Sequence, residues 1–269
     1  MATKKTASST AVATTKRAQV ALPADIEVQM AADIAAFQGR MSAPSGNRIS
    51  VTQDRKFRDA AGEKHDRISG VIVNFAAKKA WYEGAYDKDN IVPPNCFALG
   101  FVPHDALEAS ENSPDRQWED GCKTCPKNAF KSAANGKGKA CGDSYRLALL
   151  SPDSDAENAQ LTILELSATA IKPFEKYVRD LAKNYGKAPY CFITEFFMDD
   201  SVDYASVRCG NPEPADAGLL KLAFSLREDA EKMLAQEPDI ADFDEKVRNA
   251  GKSSLQSPKK GAAAKPARR

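Results

Sequence analysis

The sequence predicts an α+β domain on three observations. Five segments with strand character fall within about 120 residues, at 47–57, 67–78, 95–103, 144–151 and 160–166. A long cysteine-bearing insertion separates the third from the fourth, and amphipathic helical patterns follow the fifth. At 269 residues and 42% hydrophobic composition, the chain can bury a sizeable core as one large domain carrying an inserted module. That domain is placed at 23–250.

Residues 1–22 are mostly Ala, Thr, Ser and Lys with little to bury, and 251–269 carry six positive charges and no acid, so both ends are expected to be disordered tails, the second of them basic. An amphipathic helix is expected from Asp25 to Met41, with Ile26, Met30, Ile34 and Phe37 at helical spacing. The five strands come next. A helix follows from about Thr169 to Tyr185, with Ile171, Phe174, Val178 and Leu181 on one face, Pro173 in the first turn and Gly186 at the end. A hairpin is expected over 190–209, and its symmetry about Asp200 would bring Cys191 and Cys209 together as buried thiols. One long helix from Ala215 to Gln236 stops before Pro238, and a short helix at 239–249 ends the domain.

No run reaches the roughly 18–20 apolar residues of a membrane span, and the N-terminus lacks a secretory pattern, so the expected location is the cytosol, with no membrane partner. In a reducing compartment, clustered cysteines are metal ligands or buried thiols more often than disulfides. Four of the six fall between 96 and 141: Cys96, the pair Cys122-Lys-Thr-Cys125, and Cys141. A pair two residues apart turns both sulfurs to one point, and two further thiols complete the tetrahedral set that Zn²⁺ prefers. This predicts a closed, structural zinc insertion at about 96–141. His104 offers an alternative ligand for a mixed, catalytic set.

Net charge is only +1, so any attraction for nucleic acid must come from local clustering. From Cys122 to Arg146 five lysines and one arginine face a single aspartate, Asp143. Lys123 and Lys127 have a second reading, as charge balance for a thiolate cluster. Lys137 and Lys139 lie in a Gly/Lys loop that suits phosphates, or merely solvent. Large rings alternate with cations at Lys78, Lys79, Trp81, Tyr82 and Tyr86, and again at Lys127, Phe130 and Lys131. Single-strand binding needs this mixture, because rings stack on bases and lysines track phosphates. Trp81 and Phe130 also read as core.

The chain has only two histidines and no phosphate loop or nucleophile elbow, and neither half of the zinc deaminase signature is present, so no enzyme is expected. A metal-dependent nuclease built on Asp199, Asp200 and Asp203 is the weaker enzymatic alternative. A zinc-containing protein-interaction module of a replication or virion assembly is the non-enzymatic one.

The segments Pro93-Pro-Asn-Cys96-Phe-Ala98, Cys122-Lys-Thr-Cys125-Pro-Lys-Asn128-Ala-Phe130-Lys-Ser132 and Gly136-Lys-Gly-Lys-Ala-Cys141 resemble those of phage-type single-stranded DNA-binding proteins. The likeness extends to Trp81-Tyr82-Glu-Gly-Ala-Tyr86-Asp and Ser167-Ala-Thr-Ala-Ile-Lys172-Pro-Phe174, and covers roughly 45–210. It implies a five-stranded OB-like barrel and structural Zn²⁺ on Cys96, Cys122, Cys125 and Cys141. It also implies a non-catalytic role coating single strands in phage DNA replication or recombination, in the host cytoplasm, alongside proteins of those processes. In this reading Lys123, Lys127, Lys131, Lys137, Lys139 and Arg146 neutralise the strand, and bases stack among Trp81, Tyr82, Tyr86 and Phe130. Two features depart from the family pattern: Lys131 stands where glycine is expected, and the C-terminus is basic rather than acidic.

Overall fold

The computed structural model describes residues 48–84, 92–118 and 120–238, all within one compact unit that begins at Gly46. The helices expected at 25–41 and 239–249, both tails, and Tyr86 lie outside the described residues. In chain order the elements are β1 (Arg48–Val51), β2 (Phe57–Arg58), β3 (Lys64–His65), β4 (Arg67–Trp81), β5 (Cys96–Gly100), β6 (Cys141–Leu150), β7 (Leu161–Leu166), α1 (Ala168–Tyr185), β8 (Phe192–Met198), β9 (Val207–Pro214), α2 (Ala217–Ser225) and α3 (Arg227–Ala235). The fold is α+β, a curled mixed sheet with three helices.

β4 organises the sheet. Its 15 residues would reach about 50 Å at roughly 3.3 Å per residue, too long for a single set of neighbours. One edge therefore changes partner: residues 67–71 pair with β8, and 77–81 pair with β5. The other edge pairs with β6 from Val71 to Trp81, apart from a register shift between Ile72 and Asn74 that bends the strand. The order runs β3-β2-β1-β7-β6-β4-β8-β9 with β5 off β4; β1 and β7 are parallel and the other pairs antiparallel.

Alternation along the strands separates two cores. Leu147, Leu164 and Leu166 join Ala170, Phe174 and Leu181 of α1, together with Leu107, Ala109 and Cys122 of the insertion. The other face presents Val71, Ala76, Ala148 and Leu150 to Leu219, Ala223, Ala230 and Leu234 of α2 and α3. At about 1.5–3 kcal/mol per buried large side chain, these two layers hold the curled sheet against its helices.

Three sequence expectations need correction. The hairpin pairs Phe196 with Cys209 and Met198 with Val207, so its loop is centred beyond Asp200. Cys191 lies five residues before Phe196, about 17 Å along the strand from the position opposite Cys209. Both thiols are half-buried against the first core. The single helix at 215–236 is two, because Leu226 leaves helical geometry (ψ 4°) and the Ser225 hydroxyl competes for the Leu222 carbonyl. Helix α1 starts at Ala168, so Pro173 lies inside it rather than in its first turn; Gly186 ends it at φ 62°, as expected.

Candidate nucleic-acid interface and thiol cluster

The insertion docks on one face of the β4 end. Cys96 and Cys141, first residues of β5 and β6, stand opposite Trp81 on its two sides, so all three side chains share a face. Cys122 is buried, its N–H donating to Leu107 O at 3.2 Å, and Cys125 precedes a 3₁₀ turn at Pro126–Asn128. Burial pushes the Cys122 thiol up to about 11, with Lys79 opposing and Cys96 and Cys125 adding to the rise. Burial likewise pushes Cys141 up to about 12, again opposed by Lys79 and reinforced by Cys122 and Cys96.

The four thiols therefore sense one another, yet they are not closed. No three of their sulfurs lie mutually within 4.8 Å among the described residues, whereas tetrahedral Zn–S bonds of about 2.3 Å would bring them to about 3.8 Å. The donor set suits zinc, and the spacing is wider than zinc requires. The one group with ligand atoms that close among the described residues is Asp59, Glu63 and His65, which a tight hairpin explains. Asp59 accepts from Glu63 N at 2.9 Å and pairs with His65 Nε2 at 2.9 Å. His104 is not near the thiols in role: its Nε2 meets Ser144 O at 2.8 Å and its ring stacks edge-on against Tyr145.

Lys79 is a cation built into the core, 1% exposed. Its ammonium pairs with Asp143 and donates to Asn128 Oδ1 at 3.0 Å, while Lys139 reaches the same Asp143 at 2.9 Å and the same Asn128 oxygen at 3.0 Å. Asn128 in turn donates to Cys122 O at 2.9 Å, so one amide ties the strand, the loop and the thiol segment together. Trp81, 7% exposed, lies beneath the Lys127 ammonium at 4.5 Å from its ring centroid. Among the residues expected to meet a strand, Lys79 and Trp81 are thus part of the core, Lys127 covers Trp81, and Lys139 is held by Asp143. An apolar-rich strand end under a docked loop has no solvent side left to offer.

The loop presents the remainder. Phe130 is 73% exposed, the most exposed large apolar side chain among the described residues. Its loop is tied down: Ser132 Oγ donates to Lys127 O at 2.8 Å and accepts from Ala140 N at 2.9 Å, and Lys131 N donates to Gly138 O at 2.6 Å. Lys131 sits at φ 72°, the left-handed region that favours glycine. Gly136 and Gly138 flank Lys137 at φ 67° and 80° and turn the loop back. Lys123, Lys131 and Lys137 are exposed, and none has an ion-pair partner among the described residues.

Lys78, Tyr82 and Arg146 lie on the opposite face of β4, since successive strand residues alternate. Lys78 meets Glu165 at 2.8 Å and Arg146 pairs with Glu165 in register, where Arg48 also reaches the carboxylate at 2.6 Å. Sequence reasoning missed Arg48 and Glu165, because only the pairing of β1 with β7, of β7 with β6 and of β6 with β4 brings them beside Lys78. The hairpin-tip carboxylates are engaged by arginines: Asp199 by Arg208 at 2.5 Å and Asp200 by Arg55 at 3.2 Å. No helix among the described residues is long and apolar enough to cross a membrane. Comparison with known proteins gives no match to a family model, a curated protein or a solved structure.

Proposed function

We propose that this chain is a non-catalytic single-stranded DNA-binding protein of the phage type, acting in DNA replication or recombination. The observation that carries the reading is Phe130, a large ring held in solvent by an ordered loop whose segment also carries the exposed cations Lys123, Lys131 and Lys137, none with an ion-pair partner among the described residues. An exposed ring costs solvation unless something covers it, and a base offers a flat apolar partner regardless of sequence. The lysines neutralise phosphates on either side and release counterions. The curled sheet around β4 is compatible with an OB-like barrel, which provides the platform in this reading.

Cys96, Cys122, Cys125 and Cys141 would hold a structural Zn²⁺, and the ion would supply a cross-link between the two strand ends and the loop that bears Phe130. The chain's own contribution is the buried Lys79 ammonium, which offsets part of the negative charge of four thiolates, and Asn128, which fixes the loop to it. Elemental analysis of reduced, purified protein is expected to give one zinc per chain, and Cys122→Ser to reduce it.

Fluorescence anisotropy with labelled single- and double-stranded oligonucleotides tests the function. Single strands should bind tighter, with log K falling by about 0.7 per log unit of salt for each phosphate contacted. Phe130→Ala should weaken binding by about 5- to 150-fold, the equivalent of ~1–3 kcal/mol of stacking, while leaving the thermal midpoint unchanged. Unchanged binding by Phe130→Ala together with a flat salt response would instead favour a protein partner for the exposed ring.

A further inference from the structure

Opposite the cysteine loop, two cations converge on one carboxylate, and a third stands across from it on the neighbouring strand. Lys78 Nζ lies 2.8 and 3.0 Å from the two Glu165 oxygens, Arg48 Nη2 lies 2.6 Å from Oε2, and Ser144 Oγ donates to Oε1 at 3.0 Å. Arg146 stands across from Glu165 in the β6–β7 register, and its Nη1 donates to Gln236 O at 2.8 Å, capping the end of α3. Tyr82 follows one residue after β4 with the parity of Lys78, and its ring is 44% exposed.

An isolated Lys–Glu pair moves its two members apart, the lysine up and the carboxylate down. Here both are held down. Burial lowers Lys78, and the repulsion of Arg146 and Arg48 adds to it against the pull of Glu165. Burial opposes the lowering of Glu165, yet Lys78, Arg48 and Arg146 outweigh it. Arg146 is also lowered, by burial first and by Arg48. Three cations against one carboxylate leave the cluster net positive, and partly desolvated positive charge is relieved by a bound anion. Burial first, and Glu165 next, push the Tyr82 phenol up against the opposing pull of Arg48 and Arg146, which sets it beside the same charges.

We infer that Arg48, Lys78 and Arg146 form a second phosphate-binding site, on the sheet face opposite the Phe130 loop, where Tyr82 receives the adjoining base and Glu165 restrains the site by occupying it. The inference rests on the single-strand reading above and adds a second stretch of contact, reached around the open end of β4. The phosphodiester backbone is the ligand, because the cations are spaced around one oxygen-sized acceptor and a planar ring stands at the rim.

The test is the salt dependence of anisotropy with an oligothymidylate for the full chain and four variants: Arg48→Gln, Arg48→Lys, Glu165→Gln and Phe130→Ala. Arg48 is 51% exposed in its side chain, so its replacement leaves the core intact. Arg48→Gln should bind several-fold more weakly at low salt, with a slope shallower by about 0.7, and Arg48→Lys should restore the slope. Glu165→Gln keeps the shape and removes the competing charge, so it should bind several-fold more tightly. If Arg48→Gln and Glu165→Gln both keep the original affinity and slope while Phe130→Ala weakens binding, the second site is overturned and the single-strand reading stands. If Phe130→Ala also binds as before, the single-strand reading falls and the second site with it.

Discussion

Replacing Asp143 by asparagine should be the most damaging single change near the thiol cluster. Among the described residues the carboxylate is the only ion-pair partner of Lys79, which is 1% exposed and otherwise donates to Asn128 Oδ1 at 3.0 Å. Breaking a buried pair from one side costs about 3–5 kcal/mol, because the surviving charge has neither water nor partner. A loss of about 3–5 kcal/mol lowers the thermal midpoint of a domain this size by roughly 6–20 °C. Lys79→Met should cost less, about 1–2 kcal/mol, since Asp143 keeps Lys139 at 2.9 Å and some solvent. The double change Lys79→Met/Asp143→Leu should recover most of the loss, as apolar replacements of buried pairs usually do. Thermal and urea unfolding of the three variants decides the matter. An Asp143→Asn protein within 1 kcal/mol of the original, or a Lys79→Met protein less stable than it, would refute the assignment of Lys79 as a buried charge held by one partner.

Lys131→Gly relieves a side chain held at φ 72°; about 1–2 kcal/mol of left-handed strain, less about 0.4–1 for the freer unfolded chain, leaves a net gain of about 0.5–1 kcal/mol that Lys131→Ala should lack in parallel melts. Glu165 has its pKa lowered in the folded state from 4.5, so its contribution is fully present above that value and is lost as pH falls through the lower folded value. Glu165→Gln should therefore be less stable than the original protein by about 1–3 kcal/mol near neutrality, with the gap closing as pH drops below about 4.5 in acid-titrated unfolding.

Much of the sheet was legible because its strands are apolar runs bounded by turn residues: 67–78 became β4, 160–166 became β7, and Gly186 closed α1. What failed was register. The apolar pattern of the 190–209 segment does not fix whether its loop centres on Asp200 or a few residues later, since both choices keep Phe192, Phe196 and Met198 on one face; the observed register goes with Arg208 of the same hairpin on Asp199 and Arg55, from elsewhere in the fold, on Asp200. The helix break at Leu226 was equally invisible, because the apolar spacing of Leu219, Ala223, Ala230 and Leu234 suits one continuous helix.

The candidate site shows the same division between what alternation dictates and what distance hides. Lys78 and Lys79 are neighbours in sequence, and on any strand they must point to opposite faces, so they could never have served one groove together. Which of them would be buried was set by partners far along the chain: Asp143 and Asn128 on one side, Glu165 and Arg48 on the other. Side-chain type alone rates the two lysines alike, while their surroundings make one a structural cation beneath the cysteine loop and the other part of a cluster of three cations around one carboxylate. The binding surface is therefore expected to be divided by β4 rather than gathered on it. A strand that contacts both Phe130 and Tyr82 must turn around the end of that strand, and the number of nucleotides covered should exceed what either face alone would hold.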